Sequence, residues 1–351
     1  MSRRVTTLVV AVLVVALLAA AALVGVRWWR DRGRTTFEEA TAYAPPDSER
    51  LSWTDWSAVR ERVGGIDADS SGADVERFLD DAFDDDLTSA TALVESAPKL
   101  QDDLGFSPAS VEWELFSQSG EGAVVIMRLP EESDVDDVAD RLESNGFEEP
   151  SSDDGVWTGD SALPKIGANL TPELQYVALD ADRRLVLTSD RAGYLEQVVE
   201  GLDGDGPSEA VQDVVGASGE PLSAAVYDGD HACRELAMSQ AGVDDQDAAD
   251  RLVAEAGDVD PLAAFAMSVQ PGGDVRVVMG FADDDQAQTN ADTRATLAAG
   301  PAPGQGGDFS DRFTVESTTA DGDLVTLDLA PVDGSYVFSD LSTGPVLFAT
   351  C

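Results

Sequence analysis

Residues 113–129 read WELFSQSGEGAVVIMRL, and residues 265–281 read FAMSVQPGGDVRVVMGF. Each is a pair of apolar runs around a glycine-containing turn, the pattern of a β-hairpin. They align at a constant offset of 152, with Gln118 against Gln270 and Val125-Ile126-Met127 against Val277-Val278-Met279. On this alignment Trp113 answers to Phe265. The chain carries one hairpin twice.

The likeness extends outward from the hairpins. Val75, Phe78, Leu79 and Ala82 fall at i, i+3, i+4 and i+7, and so do Ala249, Leu252, Val253 and Ala256. Each set predicts a helix with one apolar stripe, Leu79 answering to Val253. Upstream, Val59-Arg60-Glu61 matches Cys233-Arg234-Glu235. Leu51-Ser52 and Leu222-Ser223 open short apolar runs that meet Asp55 and Asp228. Downstream, Val135, Val138, Ala139 and Leu142 predict a helix ended by Gly146, with a partner from about Asp284 to Ala299. Each copy is expected to close on a strand ending in Ser-Asp, at 185–190 and 336–340. The fold class is therefore α+β, with two tandem related units at 45–216 and 217–351. Each is expected to be an antiparallel sheet with packed helices.

Leu8–Val26 contains no charge, and its nineteen residues would span roughly 28 Å as a helix, close to the bilayer's hydrocarbon thickness. Trp28 and Trp29 follow, where indoles favour the headgroup layer. Residues 1–34 thus read as a short tail, a transmembrane helix and a basic flank, with 35–44 as linker. A cleaved signal peptide is the rival, with Ala19-Ala20-Ala21 as its processing site. Arginines flank the span on both sides, and a plain positive-inside count would keep the domain in the cytosol. The short basic tail reads instead as a signal n-region, so the expected location is the cell membrane, single-pass, with the C-terminal domain extracytoplasmic.

Three stretches carry a family resemblance: APPDSERLSWTDWSAVR (44–60), GPAPGQGGDFSDRF (300–313) and YVFSDLSTGPVLFATC (336–351). In these the chain resembles single-pass, membrane-anchored exported proteins of actinobacteria. The resemblance implies an envelope location and brings no activity, cofactor or catalytic residue with it.

Residues 1–34 hold six arginines and one acid, leaving 16 basic and 67 acidic residues, a net charge of −51, on the other 317. A field of that sign repels nucleic-acid phosphate, so nucleic acid is not an expected partner. His231 is the only histidine, which removes most triads and His-based zinc sites. Its setting, DGDHAC, has no standard zinc spacing. Asp67-Ala-Asp69-Ser-Ser71-Gly72 begins like an EF-hand loop, but Phe78 stands where a bidentate Glu is needed. Ser96-Ala-Pro-Lys99 has an S-x-x-K spacing broken by its proline. No catalytic residue, metal site or cofactor is expected.

Two features remain. The loop GPAPGQGGDFSDRF offers Gly304, Gln305, Asp308, Phe309, Asp311, Arg312 and Phe313 as a candidate binding segment, because long loops often carry function. Cys233 and Cys351 are the only cysteines, and an oxidising compartment would join them. Cys233 takes the place of Val59 and is expected to face the core. The expected function is non-catalytic binding of an envelope protein or wall component; the alternative is an extracytoplasmic carboxylate-based hydrolase.

The charge generates a prediction. Self-repulsion is greater in the compact state, so salt should raise the melting temperature gradually as screening shortens to about 8 Å at 0.15 M. Magnesium and calcium should act alike. A calcium-specific plateau at micromolar concentration, abolished by Asp67→Ala, would instead reveal a site at 67–72.

Overall fold

The computed structural model describes residues 33–152, 155–160, 162–163 and 171–351. The expected anchor, 8–26, lies outside them; among the described residues no helix is long and apolar enough to cross a membrane.

The first-half strands are β1 (Arg50–Thr54), β2 (Trp113–Gln118), β3 (Ala123–Arg128), β4 (Val156–Thr158), β5 (Tyr176–Asp180) and β6 (Leu185–Ser189). The second half supplies β7 (Ser223–Asp228), β8 (Ala264–Val269), β9 (Val275–Gly280), β10 (Phe313–Asp321) and β11 (Leu324–Pro331). The fold is α+β, but the expected two sheets are one. All eleven strands form a single antiparallel sheet in the order β10-β11-β9-β8-β7-β1-β2-β3-β6-β5-β4. The halves join where β1 pairs with β7, Ser52 standing opposite Ala225 at the middle of the ladder. Outward from that pair each half runs strand, hairpin, then a second antiparallel pair, with β4 added at one edge.

Helices cover both faces, so the strands read as nearly continuous apolar runs rather than alternating ones. On one face lie α1 (Thr36–Thr41), α5 (Ala192–Gly201) and α6 (Glu209–Ser218). On the other lie α2 (Trp56–Val63), α3 (Gly72–Asp84), α4 (Val135–Ser144), α7 (Val243–Ala256), α8 (Asp284–Ala298) and α9 (Val337–Ser342). The apolar stripe of α3 is buried as its spacing predicts: Val75, Phe78, Leu79 and Ala82 all lie in the core.

Three local expectations are corrected. Trp113 does not answer to Phe265. Trp113 packs on the α5–α6 face, whereas Phe265 packs on the opposite one. The cause is the turn: residues 119–122 separate β2 from β3, but 270–274, one residue more, separate β8 from β9. A one-residue slip moves every side chain of a strand to the other face. Trp113 pairs with Arg128 as Ala264 pairs with Gly280, so Ala264 is its equivalent. Second, the linker 35–44 contains α1. Thr35 and Glu38 form a reciprocal capping box, and Phe37 is buried with its ring 5.2 Å from Trp53. Third, 336–340 is no strand. Asp86, at φ 60°, accepts hydrogen bonds from Phe338 N, Ser339 N and Ser339 Oγ. A carboxylate from the first half thereby caps α9 of the second, satisfying donors that a helix start leaves open.

Glu114, on β2, is fully buried. Its carboxylate accepts from Trp56 Nε1 (3.1 Å), Thr91 Oγ1 (2.6 Å) and Ala92 N (2.8 Å). Desolvation outweighs these donors and raises its pKa above the ordinary 4.5. A raised folded pKa means that the fold favours the neutral acid. Its contribution is therefore present below the ordinary value and lost as pH rises through the raised one. Relative to Glu114→Gln, the wild-type melting temperature should fall as pH rises through that window. A difference that grows with pH would reverse the assignment.

Candidate functional site

One cleft gathers polar side chains that the fold leaves unsatisfied. β1 opens with Arg50, which stands opposite Tyr227 of β7. The guanidinium carbon lies 5.7 Å from the Tyr227 ring centroid, a cation–π geometry. Tyr227 OH donates to the carbonyl of Ser342 at the end of α9 (3.2 Å). Burial pushes the phenol pKa up, with Arg50 opposing the shift, and Tyr227 stays neutral.

Past β7, Asp228 turns the chain by accepting from Asp230 N (3.1 Å), and one helical turn, Gly229–His231, follows. That turn lays the His231 imidazole over Tyr227, ring centroids 6.0 Å apart and nearly parallel. Its Nδ1 lies 3.5 Å from Glu49 Oε2, and Glu49 is also approached by Arg234 (3.4 Å). Ser89, Glu235, Leu236 and Thr343 complete a cleft of about 320 Å³. Three atoms of its lining, Arg50 Nε, Ser89 Oγ and His231 Nδ1, are shielded from solvent and lack a hydrogen-bond partner. An unsatisfied buried donor or acceptor costs about 1–3 kcal/mol, so three in one cleft are a coherent feature.

A second cleft, of about 560 Å³, lies at the opposite end of the β1–β7 pair. Asp55, Glu61 and Glu220 line it, and its Arg62 is already held by Asp85 (2.8 Å) and the Pro271 carbonyl (3.1 Å). Its charged groups are acidic or spent.

The sequence-derived candidates land elsewhere. In the loop, Phe309 and Phe313 point inward and pack with Phe348 at ring distances of 5.3 and 6.5 Å. Arg312 is spent on Gln305 Oε1 (2.5 Å), the Gln305 and Gly306 carbonyls and Asp340. Asp308 and Asp311 cap one 3-10 turn, and Gly304 closes against Pro345. The loop's aromatic side chains belong to the core; of the seven candidates, Gly304, Asp308 and Asp311 lie on its exposed rim. Asp67 spends one oxygen on Asp69 N and Ser70 Oγ, an Asx turn leading into α3. Ser96 Oγ accepts from Thr171 N, while Lys99 pairs with Asp103. Two half-buried carboxylates are helix caps: Asp55 caps α2 through Ala58 N and Asp86 caps α9, and burial raises both pKa values.

Cys233 and Cys351 are joined, their Cα atoms 5.7 Å apart across 118 positions. Cys233 is half-buried; its neighbour Ala232 takes the core position. Sequence reasoning singled out His231 but missed the cleft around it. Arg50, Ser89 and Thr343 belong to no motif, and only the fold brings them together.

No family model matches the chain, and no curated protein matches it. Among solved structures there is a distant similarity to TP0453 in two crystal forms. Both comparisons give a TM-score of 0.39, at 7% and 8% identity, and cover 88% and 86% of this chain and 97% of the other.

The disulfide generates a test. By the chain-entropy model, closing a loop of 118 residues contributes about 4–5 kcal/mol. Cys351→Ser should lower unfolding stability by about that amount in denaturant titrations run without reductant. Equal stability of the two forms would show that the bond does not constrain the unfolded chain.

Proposed function

We propose that this chain is a membrane-anchored, extracytoplasmic binding domain, built from two copies of one α+β unit, whose ligand seat is the Arg50–His231 cleft. The convergence of Arg50, Ser89 and His231 on one cleft carries the binding reading: all three line it, and each holds a shielded polar atom without a hydrogen-bond partner. The disulfide supports an oxidising compartment. The apolar run 8–26, followed by two tryptophans, supports the anchor. The common strand order on either side of Ser52–Ala225 supports the duplication.

The ligand is an envelope protein or wall component that reaches the cleft with a side chain or chain end. The acidic exterior restricts approach to neutral or cationic partners. The exposed rim of the 300–313 loop is a second contact region in this reading, not its anchor.

Two measurements test it. Protease added to intact spheroplasts should digest the domain, whereas full protection would place it in the cytosol. The full-length protein in detergent should be retained by isolated envelope material, with retention at least tenfold lower for Arg50→Gln. Retention indifferent to that change would move the ligand seat away from the cleft.

A further inference from the structure

A smaller pocket lies on the other face of the sheet from the Arg50–His231 cleft. Tyr43 and Tyr194 pack with the core beneath α5 and α6, whereas Tyr227 packs with the opposite one. These two tyrosines, with Pro45, Pro46, Asp47 and Val198, line a space of about 230 Å³. Tyr194, Val198 and Gly201 fall at i, i+4 and i+7 of α5, so one face of that helix forms one wall. The lining carries a single charge, the exposed Asp47 carboxylate. No arginine or lysine lines the pocket or pairs with Asp47 among the described residues.

The walls are held in place by contacts of their own. The Pro45 carbonyl accepts from Ser48 N (3.2 Å) and Ser48 Oγ (2.5 Å), and that hydroxyl also meets Ser117 Oγ of β2 (2.7 Å). Tyr43 stacks one face on Trp113, ring centroids 6.3 Å apart and planes within 16° of parallel. Tyr194 stands against the Gly122 backbone, where an added Cβ would come within 2.7 Å of its Cγ. Its hydroxyl shares a hydrogen bond with Ser119 Oγ (3.3 Å). Burial raises the Tyr194 pKa; Ser119 opposes the shift, and the Asp47 and Glu121 charges add to it. The phenol is therefore neutral and feels the negative charge of Asp47.

These features select the ligand by charge and then by hydrogen bonding. Aromatic rings attract cations through their quadrupole, and Asp47 adds a full opposite charge. The acidic exterior favours the same sign. Among cations, a primary ammonium brings three donors that lose water on entry and need acceptors. A lining made mostly of rings, prolines and aliphatic groups offers few. A quaternary ammonium has no donor to satisfy, and its methyl groups pack against rings and prolines. The volume suits one such headgroup rather than a larger ligand.

We propose that this pocket is a quaternary-ammonium seat, in which Tyr43 and Tyr194 receive the trimethylammonium group of a choline-type ligand and Asp47 balances its charge. The Arg50–His231 cleft takes no part in it, so the two assignments stand or fall separately.

The test is NMR of the full-length oxidised protein in a maltoside detergent, with its five tyrosines ring-labelled. The probes are choline, glycerophosphocholine, 3,3-dimethylbutanol as the uncharged isostere of choline, and ammonium chloride at matched ionic strength. Choline should shift the Tyr43 and Tyr194 ring signals saturably at millimolar concentration, the isostere and ammonium at least tenfold more weakly. Glycerophosphocholine binding at least as tightly as choline identifies a lipid headgroup; weaker binding identifies a free quaternary ammonium compound. Tyr43→Leu keeps the bulk but not the ring and should weaken choline at least fivefold. Asp47→Asn changes an exposed side chain and should weaken it at least threefold, which keeps the test open if Tyr43→Leu does not fold. Equal response to choline and its isostere, a response that ammonium reproduces, or no saturable shift would overturn the assignment. So would choline binding that Asp47→Asn leaves unchanged.

Discussion

Everything in this structure hangs on the pairing of β1 with β7. It is the only strand-to-strand contact between the two halves among the described residues, a ladder of five residue pairs with Ser52 opposite Ala225. Both strands are buried on both faces and lie at the centre of the sheet, so the pairing sits among the groups least able to open locally. Because the strands are antiparallel, each end of the ladder sets the start of one against the end of the other. One end holds Arg50 and Tyr227; the other holds Thr54 and Ser223. The two clefts are consequences of that arrangement, and they differ because their side chains do.

The hairpins and the stripe of α3 were legible because burial writes itself into spacing. The errors came where spacing is silent. An extra turn residue is invisible when two segments are aligned without gaps, yet it decides which face Phe265 occupies. The single sheet was not legible, since β1 and β7 are separated by most of the first unit and neither announces a partner. YVFSD reads as a strand because Tyr, Val and Phe favour one. It becomes a helix because Asp86, 252 positions away, supplies the cap. The helix at 36–41, by contrast, was written in Thr35 and Glu38 as a capping box that composition obscured.

The cysteine pair was legible by count alone. The cleft was not, and no pattern search would have found it. Arg50 lies at the start of a strand, Ser89 in a loop, His231 in a turn and Thr343 beyond a helix. What marks them is an energetic anomaly that exists only after folding. Elsewhere the same chain surrounds its buried charges. Arg294, fully buried, receives carbonyls from Asp260, Phe348 and Thr350 and the ring of Phe281, and desolvation lowers its pKa to about 10. Glu114 receives three donors. At these two buried charges the fold supplies partners, whereas the shielded Arg50 Nε has no hydrogen-bond partner.

The disulfide belongs to the same argument. Cys233 follows His231 by two residues, and Cys351 anchors a segment whose start, Ser342 and Thr343, forms the facing wall of the cleft. Between these points Val346 N donates to the Leu236 carbonyl (2.8 Å). Gly344, at φ 57°, lies so close to that carbonyl that an added Cβ would come within 3.0 Å of it. The two walls are thus held together by a hydrogen bond, a close backbone approach and a covalent bond. Side chains on walls that are free to separate bind weakly, because ordering them on binding would consume the gain. In the binding reading proposed above, joining the His231 turn to the Thr343 wall removes that cost before a ligand arrives. The bond that closes a loop across 118 positions also ties the two walls of the cleft together.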